Sequence, residues 1–198
     1  MGEVLRRLTS KVLQRVYSDP LRDTLAPLQM GIGVKGATEQ IGRKLHRILK
    51  ASPGSFVLQI DLSNAFNSVD RQAIQLALSS LHPELLPRLE FTHLQPSPLF
   101  CGEEILESQR GTQQGDPLGP AFFALAVHST ISSAAASEGT EWQVWYLDDG
   151  LLMGTAESLL RVLETLTSRF SDLGLKVNLT KCKLWSPQGI LDLPSSFW

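Results

Sequence analysis

The stretch that most constrains the fold of this chain runs from residue 144 to residue 154. Two apolar runs in it flank a pair of adjacent carboxylates, Asp148 and Asp149, which Gly150 follows. Apolar runs separated by turn-forming residues predict a short β-hairpin with an acidic tip. Two like charges about 4 Å apart repel by roughly 4 kcal/mol at an effective dielectric near 20. The tip is therefore either a solvated turn or, if a third carboxylate lies close by, part of a site for a divalent cation.

The candidate for that third carboxylate is Asp61, which lies at the end of a second apolar stretch, residues 55–62. Phe56, Leu58 and Ile60 alternate onto one face of the strand predicted there. An unpaired acid at the end of a buried strand is costly, which favours a functional role over a structural one. We therefore expect Asp61 to lie near the acidic tip.

The order of predicted elements from residue 55 onward is strand, helices, hairpin, helix, acidic hairpin, helix and strand. This order favours an α+β fold in which helices cover one face of an antiparallel sheet, in a split βαβ, ferredoxin-like arrangement. In such a sheet Asp61 and the acidic tip can end on neighbouring central strands. Among the helices, the apolar spacing predicts those at residues 3–17, 70–81 and 121–136.

Composition and charge limit the classes of protein that fit this sequence. With 198 residues, 42% of them hydrophobic, the chain is long enough to form one substantial core. A net charge of −2 gives no overall attraction for nucleic acid, which would have to meet a local basic patch. The densest basic patch lies on the outer side of the helix predicted after Gly36. Its members are Arg43, Lys44, His46, Arg47 and Lys50.

No stretch has the features of a membrane segment, a disulfide framework or a zinc site. The apolar runs are too short to span a bilayer, and the N-terminus lacks the apolar core of a signal peptide. Cys101 and Cys182 match no C-x-x-C pattern, and the histidines show no zinc-ligand spacing. We therefore expect an intracellular protein, nuclear or cytoplasmic, with no membrane partner.

Gly31, Gly33 and Gly36 form a G-x-G-x-x-G motif that is followed by a predicted helix and then by the strand ending in Asp61. This order is typical of a dinucleotide-binding unit, in which Asp61 would bind the ribose. The unit also needs a strand before the motif, and Pro27 lies where that strand would run. Proline residues in this region indicate a loop instead, and a dinucleotide-dependent enzyme is the less favoured alternative. The loop prediction rests on Pro20 and Pro27.

A loop rich in glycine and proline at residues 110–120 precedes the long apolar helix. Asp116 suits the N-cap position of that helix, and Pro117 suits its first turn. Capping does not explain the preceding Gln114 and Gly115, where the backbone can approach a flat ligand closely. The loop is therefore a candidate ligand-binding segment.

Taken together, these motifs resemble the fingers and palm region of reverse transcriptases, especially those of non-LTR retrotransposons and group II introns. The first palm motif of that family is similar to residues 56–71, and its QGDP-type loop is similar to residues 114–120. Residues 146–149 match the YxDD box, and residues 174–181 resemble the GL-x-x-N-x-x-K motif. The fingers motif is similar to residues 29–36, which would make the G-x-G-x-x-G spacing a coincidence.

The resemblance implies an RNA-directed DNA polymerase that uses an RNA template, a DNA primer and dNTPs. The primer 3′-hydroxyl would attack the α-phosphate of the dNTP with the help of two Mg²⁺ ions, or Mn²⁺ in their place. Asp61 and Asp148 are the implied metal ligands, with Asp149 as a third and the backbone carbonyl of Leu62 as a helper. Lys181 is the implied proton donor to pyrophosphate, although a lysine at this position can also be merely exposed.

The same resemblance implies how the substrate is held. Phe66 would pack against the sugar and crowd a 2′-hydroxyl, which selects deoxynucleotides, unless it is simply a core residue. Gln114 and Gly115 would lie along the nascent base pair, and Lys35 would touch the triphosphate.

The resemblance also divides the chain into three parts. Residues 1–54 correspond to a partial fingers segment, residues 55–185 to the palm, and residues 186–198 to an irregular tail. No segment is left for a thumb, so we expect a fragment of a retroelement polyprotein that needs the thumb or other domains of that polyprotein. The alternative is a catalytically silent retroelement remnant that acts as a nucleic-acid-binding module.

Overall fold

The helices form where apolar residues recur at helical spacing. The computed structural model describes residues 2–94 and 97–191. Its helices are α1 (Gly2–Val16), α2 (Ser18–Leu25), α3 (Ala37–Ala51), α4 (Ala65–Ser68), α5 (Arg71–Leu81), α6 (Leu86–Leu89), α7 (Gly119–Ser137) and α8 (Ala156–Asp172). A 3₁₀ turn at Pro83–Leu85 and a π turn at Glu90–Leu94 flank α6. The three helices predicted from apolar spacing are present, within a few residues at their ends.

The main sheet is antiparallel and has the strand order β5-β6-β1-β8-β9. Strands β2 and β7 form a separate pair, as do β3 and β4. This combination of helices with an antiparallel sheet confirms the α+β fold predicted from the sequence. The strands are β1 (Phe56–Ile60), β2 (Leu62–Ser63), β3 (Ser97–Cys101), β4 (Glu104–Ser108), β5 (Trp142–Tyr146), β6 (Asp149–Gly154), β7 (Lys176–Val177), β8 (Lys183–Ser186) and β9 (Gly189–Leu191).

The core lies between the main sheet and the helices α7 and α8. Helix α8 packs on β1 and β6, and α7 packs on α8 and α5. Trp145 and Phe170 are fully buried and meet edge to face, with ring centroids 5.8 Å apart. Burial of such large side chains supplies most of the driving force for folding. Strand β1 lies at the centre of this sheet, between β6 and β8.

The dinucleotide-binding alternative is contradicted by this topology. Every pair of strands in the described ranges is antiparallel, whereas a dinucleotide-binding unit is built on parallel strands. The segment before Gly31 is helix α2 followed by a single bridge between Gln29 and Trp145. The G-x-G-x-x-G spacing is therefore a coincidence.

Three local predictions were wrong. Pro20 lies in the first turn of α2 rather than in a loop, because a missing N–H is tolerated there. Helix α7 begins at Gly119 with Leu118 as its N-cap, so Asp116, which was predicted to be the N-cap, lies before the observed cap. The tail predicted to be irregular contains β9, which pairs with β8, while residues 192–198 lie outside the described residues.

The apolar side of α1 is an exposed surface. Val4, Leu8, Val12 and Val16 are 53–69% exposed, while the opposite side of the helix, around the buried Ser10, faces the body of the protein. No helix in the described ranges is both long and apolar enough to cross a membrane.

Candidate active site

Strand pairing places Asp61 beside the acidic tip. In the ladder of β1 and β6, Ile60 pairs with Gly150, and in the ladder of β5 and β6, Tyr146 pairs with Asp149. Asp61 directly follows Ile60, so it reaches the same edge of the sheet as the tip. We call this region, formed by Asp61, Leu147, Asp148, Asp149 and Lys181, the acidic end.

The carboxylates of the acidic end interact electrostatically. Burial raises the pKa of Asp148, and the negative charges of Asp149 and Asp61 raise it further. Burial also raises the pKa of Asp149, with a further contribution from Asp61. Lys181 opposes both shifts. The folded chain therefore holds negative charge here that its own residues only partly neutralise.

Asp61 itself has one cationic neighbour. The ammonium Nζ of Lys181 lies 3.5 Å from Asp61 Oδ1, and the Lys181 side chain is 66% exposed. Among the described residues, the buried Oδ1 atom has no hydrogen-bond partner. The backbone of Asp61 is fixed separately, because its carbonyl accepts a hydrogen bond of 2.8 Å from the Asn178 N–H. The side chain thus lies near the tip, and one of its oxygens accepts no hydrogen bond from the described residues.

The donor chemistry of the acidic end suits a hard divalent cation. Carboxylate oxygens are the ligands that Mg²⁺ prefers, and Oδ1 of Asp61, which accepts no hydrogen bond from the described residues, is such an oxygen. Within residues 2–94 and 97–191, no three or more His, Cys, Asp or Glu side chains stand close enough together to hold an ion. The acidic end therefore fits a divalent cation by charge and donor type, without forming a preassembled cage of side chains.

A cavity of about 480 Å³ is lined by other residues that were predicted to bind the substrate. Phe66, Gln114 and Gly115 line it together with Pro117. The Phe66 ring also packs on Phe123, with centroids 4.7 Å apart, so it is both a core residue and a cavity wall. The structure thus brings the aromatic residue of the first palm motif next to the QGDP-type loop.

The loop at residues 111–118, which we call the glutamine loop, is held by buried charged side chains. Arg71 Nε donates a hydrogen bond of 3.0 Å to the carbonyl of Gly111. Arg88 Nη2 donates a hydrogen bond of 2.7 Å to Ser10 Oγ and lies 3.7 Å from Asp116 Oδ2. Asp116 Oδ1 in turn accepts a hydrogen bond of 2.9 Å from the Leu118 N–H.

His93 supports the same loop as a neutral ring. Its Nε2 accepts a hydrogen bond of 3.2 Å from the Gln113 N–H, and its Nδ1 lies 2.6 Å from Thr92 Oγ1. Burial lowers the pKa of His93 to about 4. The support that Arg71, Arg88 and His93 give to this loop could not be predicted from the sequence, because no spacing rule signals a buried polar residue that binds a distant loop.

Gln29 also supports the candidate site, although it was predicted only as the first residue of the fingers motif at residues 29–36. It is fully buried, and its side-chain amide forms hydrogen bonds with the backbone of Leu147 in the turn of the acidic end. A polar residue between Pro27 and Gly31 is only a weak signal of such a contact.

Two predicted residues lie away from these contacts. Lys35 is exposed, and its described hydrogen bond joins its carbonyl to Gln40 rather than to an acidic residue. Leu62 has a buried side chain and pairs with Val177, so only its backbone could serve the acidic end. The basic residues of α3 are exposed as predicted, and Lys44 lies 5.7 Å from the centroid of Trp142.

Solved structures of telomerase share this fold. The apo telomerase from Candida tropicalis truncated from its C-terminal domain is 14% identical, with a TM-score of 0.64, and the match covers 96% of this chain and 41% of that chain. A telomerase from Candida albicans in complex with the TWJ fragment of telomeric RNA is 13% identical, with a TM-score of 0.52 and coverages of 92% and 34%. This chain thus spans about two fifths or less of the length of these relatives. No curated protein matches it.

The sequence itself matches one protein-family model. That model describes the reverse transcriptase (RNA-dependent DNA polymerase) domain, and it matches residues 3–192. The match includes both the acidic end and the glutamine loop. We conclude that the chain belongs to the reverse transcriptase (RNA-dependent DNA polymerase) family.

Proposed function

We propose that this chain is the fingers and palm part of an RNA-directed DNA polymerase, which adds dNTPs to a primer 3′-hydroxyl on an RNA template. The observation that carries the proposal is the strand register that brings Asp61 to Asp148 and Asp149. In this assignment residues 1–54 belong to the fingers and residues 55–185 to the palm. A thumb or other domains of a retroelement polyprotein would complete the grip on the duplex.

Asp61 and Asp148 would hold the catalytic Mg²⁺ or Mn²⁺, with Asp149 as the third carboxylate. Support comes from the strand register that brings these carboxylates to one edge of the sheet. Burial raises the pKa values of Asp148 and Asp149, and neighbouring carboxylates raise them further. Two such ions, when bound, activate the attacking hydroxyl and stabilise the leaving oxygens. The carbonyl of Leu62 directly follows Asp61 in the chain and would assist them.

Lys181 would donate a proton to the leaving pyrophosphate. Its ammonium lies 3.5 Å from Asp61 Oδ1 and its side chain is largely exposed, so it can turn toward a substrate phosphate without unfolding any element. Lys35 would contact the triphosphate, and its exposed position before α3 leaves the ammonium accessible.

Phe66 would select deoxynucleotides by packing against the sugar. The contact with Phe123 limits the movement of its ring, and a ring that cannot retreat excludes a 2′-hydroxyl more effectively. Gln114 and Gly115 share the cavity with Phe66 and would lie along the nascent base pair. The exposed basic side of α3 would contact the nucleic-acid backbone.

Primer extension on an RNA template, with dNTPs and rNTPs in parallel reactions, tests the proposal. We expect Asp148→Asn to lower extension by about a thousandfold or more, because a carboxylate that holds a catalytic metal is lost. Glu164→Gln, an exposed acid on α8, is the matched control and should extend normally. We expect Phe66→Ala to raise rNTP incorporation relative to dNTP incorporation by about tenfold, as a lost steric contact allows.

Undiminished extension by Asp148→Asn would reject the proposal. The exposed basic side of α3 favours one other function, that of a catalytically silent nucleic-acid-binding module. Salt-dependent binding of a primer–template without extension, even after a thumb is fused to the chain, would support that function instead.

A further inference from the structure

The buried side chain of Gln29 makes three hydrogen bonds near the acidic end. Its Oε1 accepts one of 2.6 Å from the Leu147 N–H and one of 3.2 Å from the Gly31 N–H. Its Nε2 donates one of 3.0 Å to the Leu147 carbonyl. Gln29 thus binds both backbone polar groups of Leu147, although it lies 118 residues away in the chain.

Leu147 needs such support because its backbone is in a strained conformation. Its φ is +57°, in the left-handed region that branched and bulky side chains rarely adopt. Leu147 and Asp148 form the turn between β5 and β6. A change in the backbone of Leu147 would therefore redirect the carboxylate of Asp148, the next residue.

The backbone around Gln29 is itself fixed to β5. The Met30 N–H donates to the Trp145 carbonyl and the Trp145 N–H donates to the Leu28 carbonyl, each at 2.7 Å. Gly31 then passes close under the turn, since a Cβ at Gly31 would stand 2.7 Å from Leu147 Cγ. The Gln29 amide is therefore anchored on one side and contacts the turn on the other.

We propose that Gln29 is a positioning residue that sets the direction of the Asp148 and Asp149 carboxylates. It does so by holding Leu147 in its left-handed conformation. The inference rests on the proposed function of the acidic end and extends it to a residue that contacts no substrate. The three hydrogen bonds of Gln29 require an amide, because an ionised carboxylate at this position lacks the N–H that Nε2 supplies. They also require the length of glutamine, because asparagine is one methylene shorter.

The test uses Mn²⁺ alone as the probe, titrated into the full chain and followed by electron paramagnetic resonance, together with hydrogen exchange of the amides at residues 147–150. We expect Gln29→Ala to weaken Mn²⁺ binding by about tenfold and to speed exchange of the Leu147 amide by a similar factor, since a strained conformation loses its support. Gln29→Asn keeps the amide without adding charge but is one methylene shorter, so its effect should be intermediate. It also serves if Gln29→Ala folds poorly.

The matched control is Gln143→Ala. Gln143 lies on β5, and its Oε1 accepts a hydrogen bond of 3.2 Å from Trp145 Nε1, but it makes no described hydrogen bond to the turn. This control should bind Mn²⁺ and exchange as the unchanged chain does. Thermal unfolding of Gln29→Ala and Gln143→Ala measures any general loss of stability in each variant, whereas the positioning role lowers Mn²⁺ affinity only in Gln29→Ala.

The outcomes separate this inference from the proposed function. Mn²⁺ affinity that is lost in Asp148→Asn but unchanged in Gln29→Ala would overturn the positioning role and leave the metal site standing. An unchanged chain that binds no Mn²⁺ would overturn the metal site and, with it, the inference. Weakened Mn²⁺ binding in Asp148→Asn and in Gln29→Ala, with normal binding in Gln143→Ala, would support the metal site and the positioning role of Gln29.

Discussion

The acidic end and the glutamine loop lie in the same candidate site but are held in place by different means. The acidic end is fixed mainly by strand ladders, in which the pairing of Ile60 with Gly150 sets where Asp61 meets the tip, while the Gln29 side chain holds its turn. The glutamine loop has no strand partner in the described ranges. Backbone hydrogen bonds join Gly111 to Val69 and Thr112 to Phe66, and the rest of the loop depends on buried side chains, chiefly those of Arg71, Arg88 and His93. We therefore expect backbone pairing to tolerate the loss of one side chain better than a buried charged network does.

The largest expected effect is that of Arg88→Ala. Arg88 and Asp116 are both buried, with 8% and 1% of their side chains exposed, and removal of one partner leaves an uncompensated buried charge. We expect the free energy of unfolding to fall by about 3–5 kcal/mol, measured by urea denaturation. The double variant Arg88→Met with Asp116→Asn should lose less, because neither charge is then left unpaired.

Arg161→Ala is the control for this prediction. Arg161 on α8 pairs with Glu157 at 2.7 Å and with Glu138 at 3.5 Å. Its own side chain is 49% exposed, so its removal should cost about 1 kcal/mol or less. If Arg88→Ala is as mild as Arg161→Ala, the glutamine loop does not depend on its buried charges and the contrast with the acidic end is lost.

The next largest effect is the pH dependence conferred by His93. The pKa of His93 is about 4 in the folded protein, against 6.5 for an unperturbed histidine. Between these two pH values the unfolded chain binds more protons than the folded chain does. The contribution of His93 to the free energy of unfolding is therefore fully present above pH 6.5 and is lost as the pH falls toward 4. The loss attributable to His93 amounts to about 3 kcal/mol at most.

Urea denaturation of the unchanged chain and of His93→Gln from pH 7 to pH 4 measures this contribution. We expect the variant to be less stable at pH 7 and to lose less stability on acidification. His46, an exposed residue of α3, provides the control variant His46→Gln, which should follow the unchanged chain. Parallel curves for the unchanged chain and His93→Gln would show that a neutral His93 is not what holds Gln113.

A smaller effect is expected from a change within the strand ladder itself. A Cβ at Gly150 would stand 2.7 Å from Cη2 of the Trp145 ring, which is packed against Phe170. Because this ring has little room to move, Gly150→Ala should cost about 1–3 kcal/mol. The matched control is Gly42→Ala in α3, where a Cβ meets nothing within 4 Å and should stabilise the helix by about 0.5–1 kcal/mol. Thermal unfolding of both variants measures the difference, and equal melting temperatures would contradict it.

The same contrast explains which features could be predicted from the sequence. Strand periodicity and a turn signal depend on neighbouring residues, so the acidic hairpin, the strand ending at Asp61 and the α+β fold were all predictable. The contacts of Arg88 with Ser10 and of Gln29 with Leu147 join residues that are 78 and 118 positions apart. No local pattern encodes such contacts. The same limit applies to Asp116, whose carboxylate faces Arg88 as well as the start of α7, and to α1, whose apolar periodicity does not reveal which side of the helix is packed.

The smallest effect is expected on α1, which supports the glutamine loop from one side only. Ser10 is fully buried and accepts a hydrogen bond from Arg88, whereas Val12 is 53% exposed. Val12→Ser should therefore change the free energy of unfolding by no more than about 0.5 kcal/mol, as for other exposed positions. Ser10→Ala removes an acceptor from the buried Arg88 and should cost about 1–3 kcal/mol. A larger loss of free energy of unfolding in Val12→Ser than in Ser10→Ala, measured by urea denaturation, would show that α1 supports the loop through its apolar side. The buried charged network would then not be what distinguishes the glutamine loop from the acidic end.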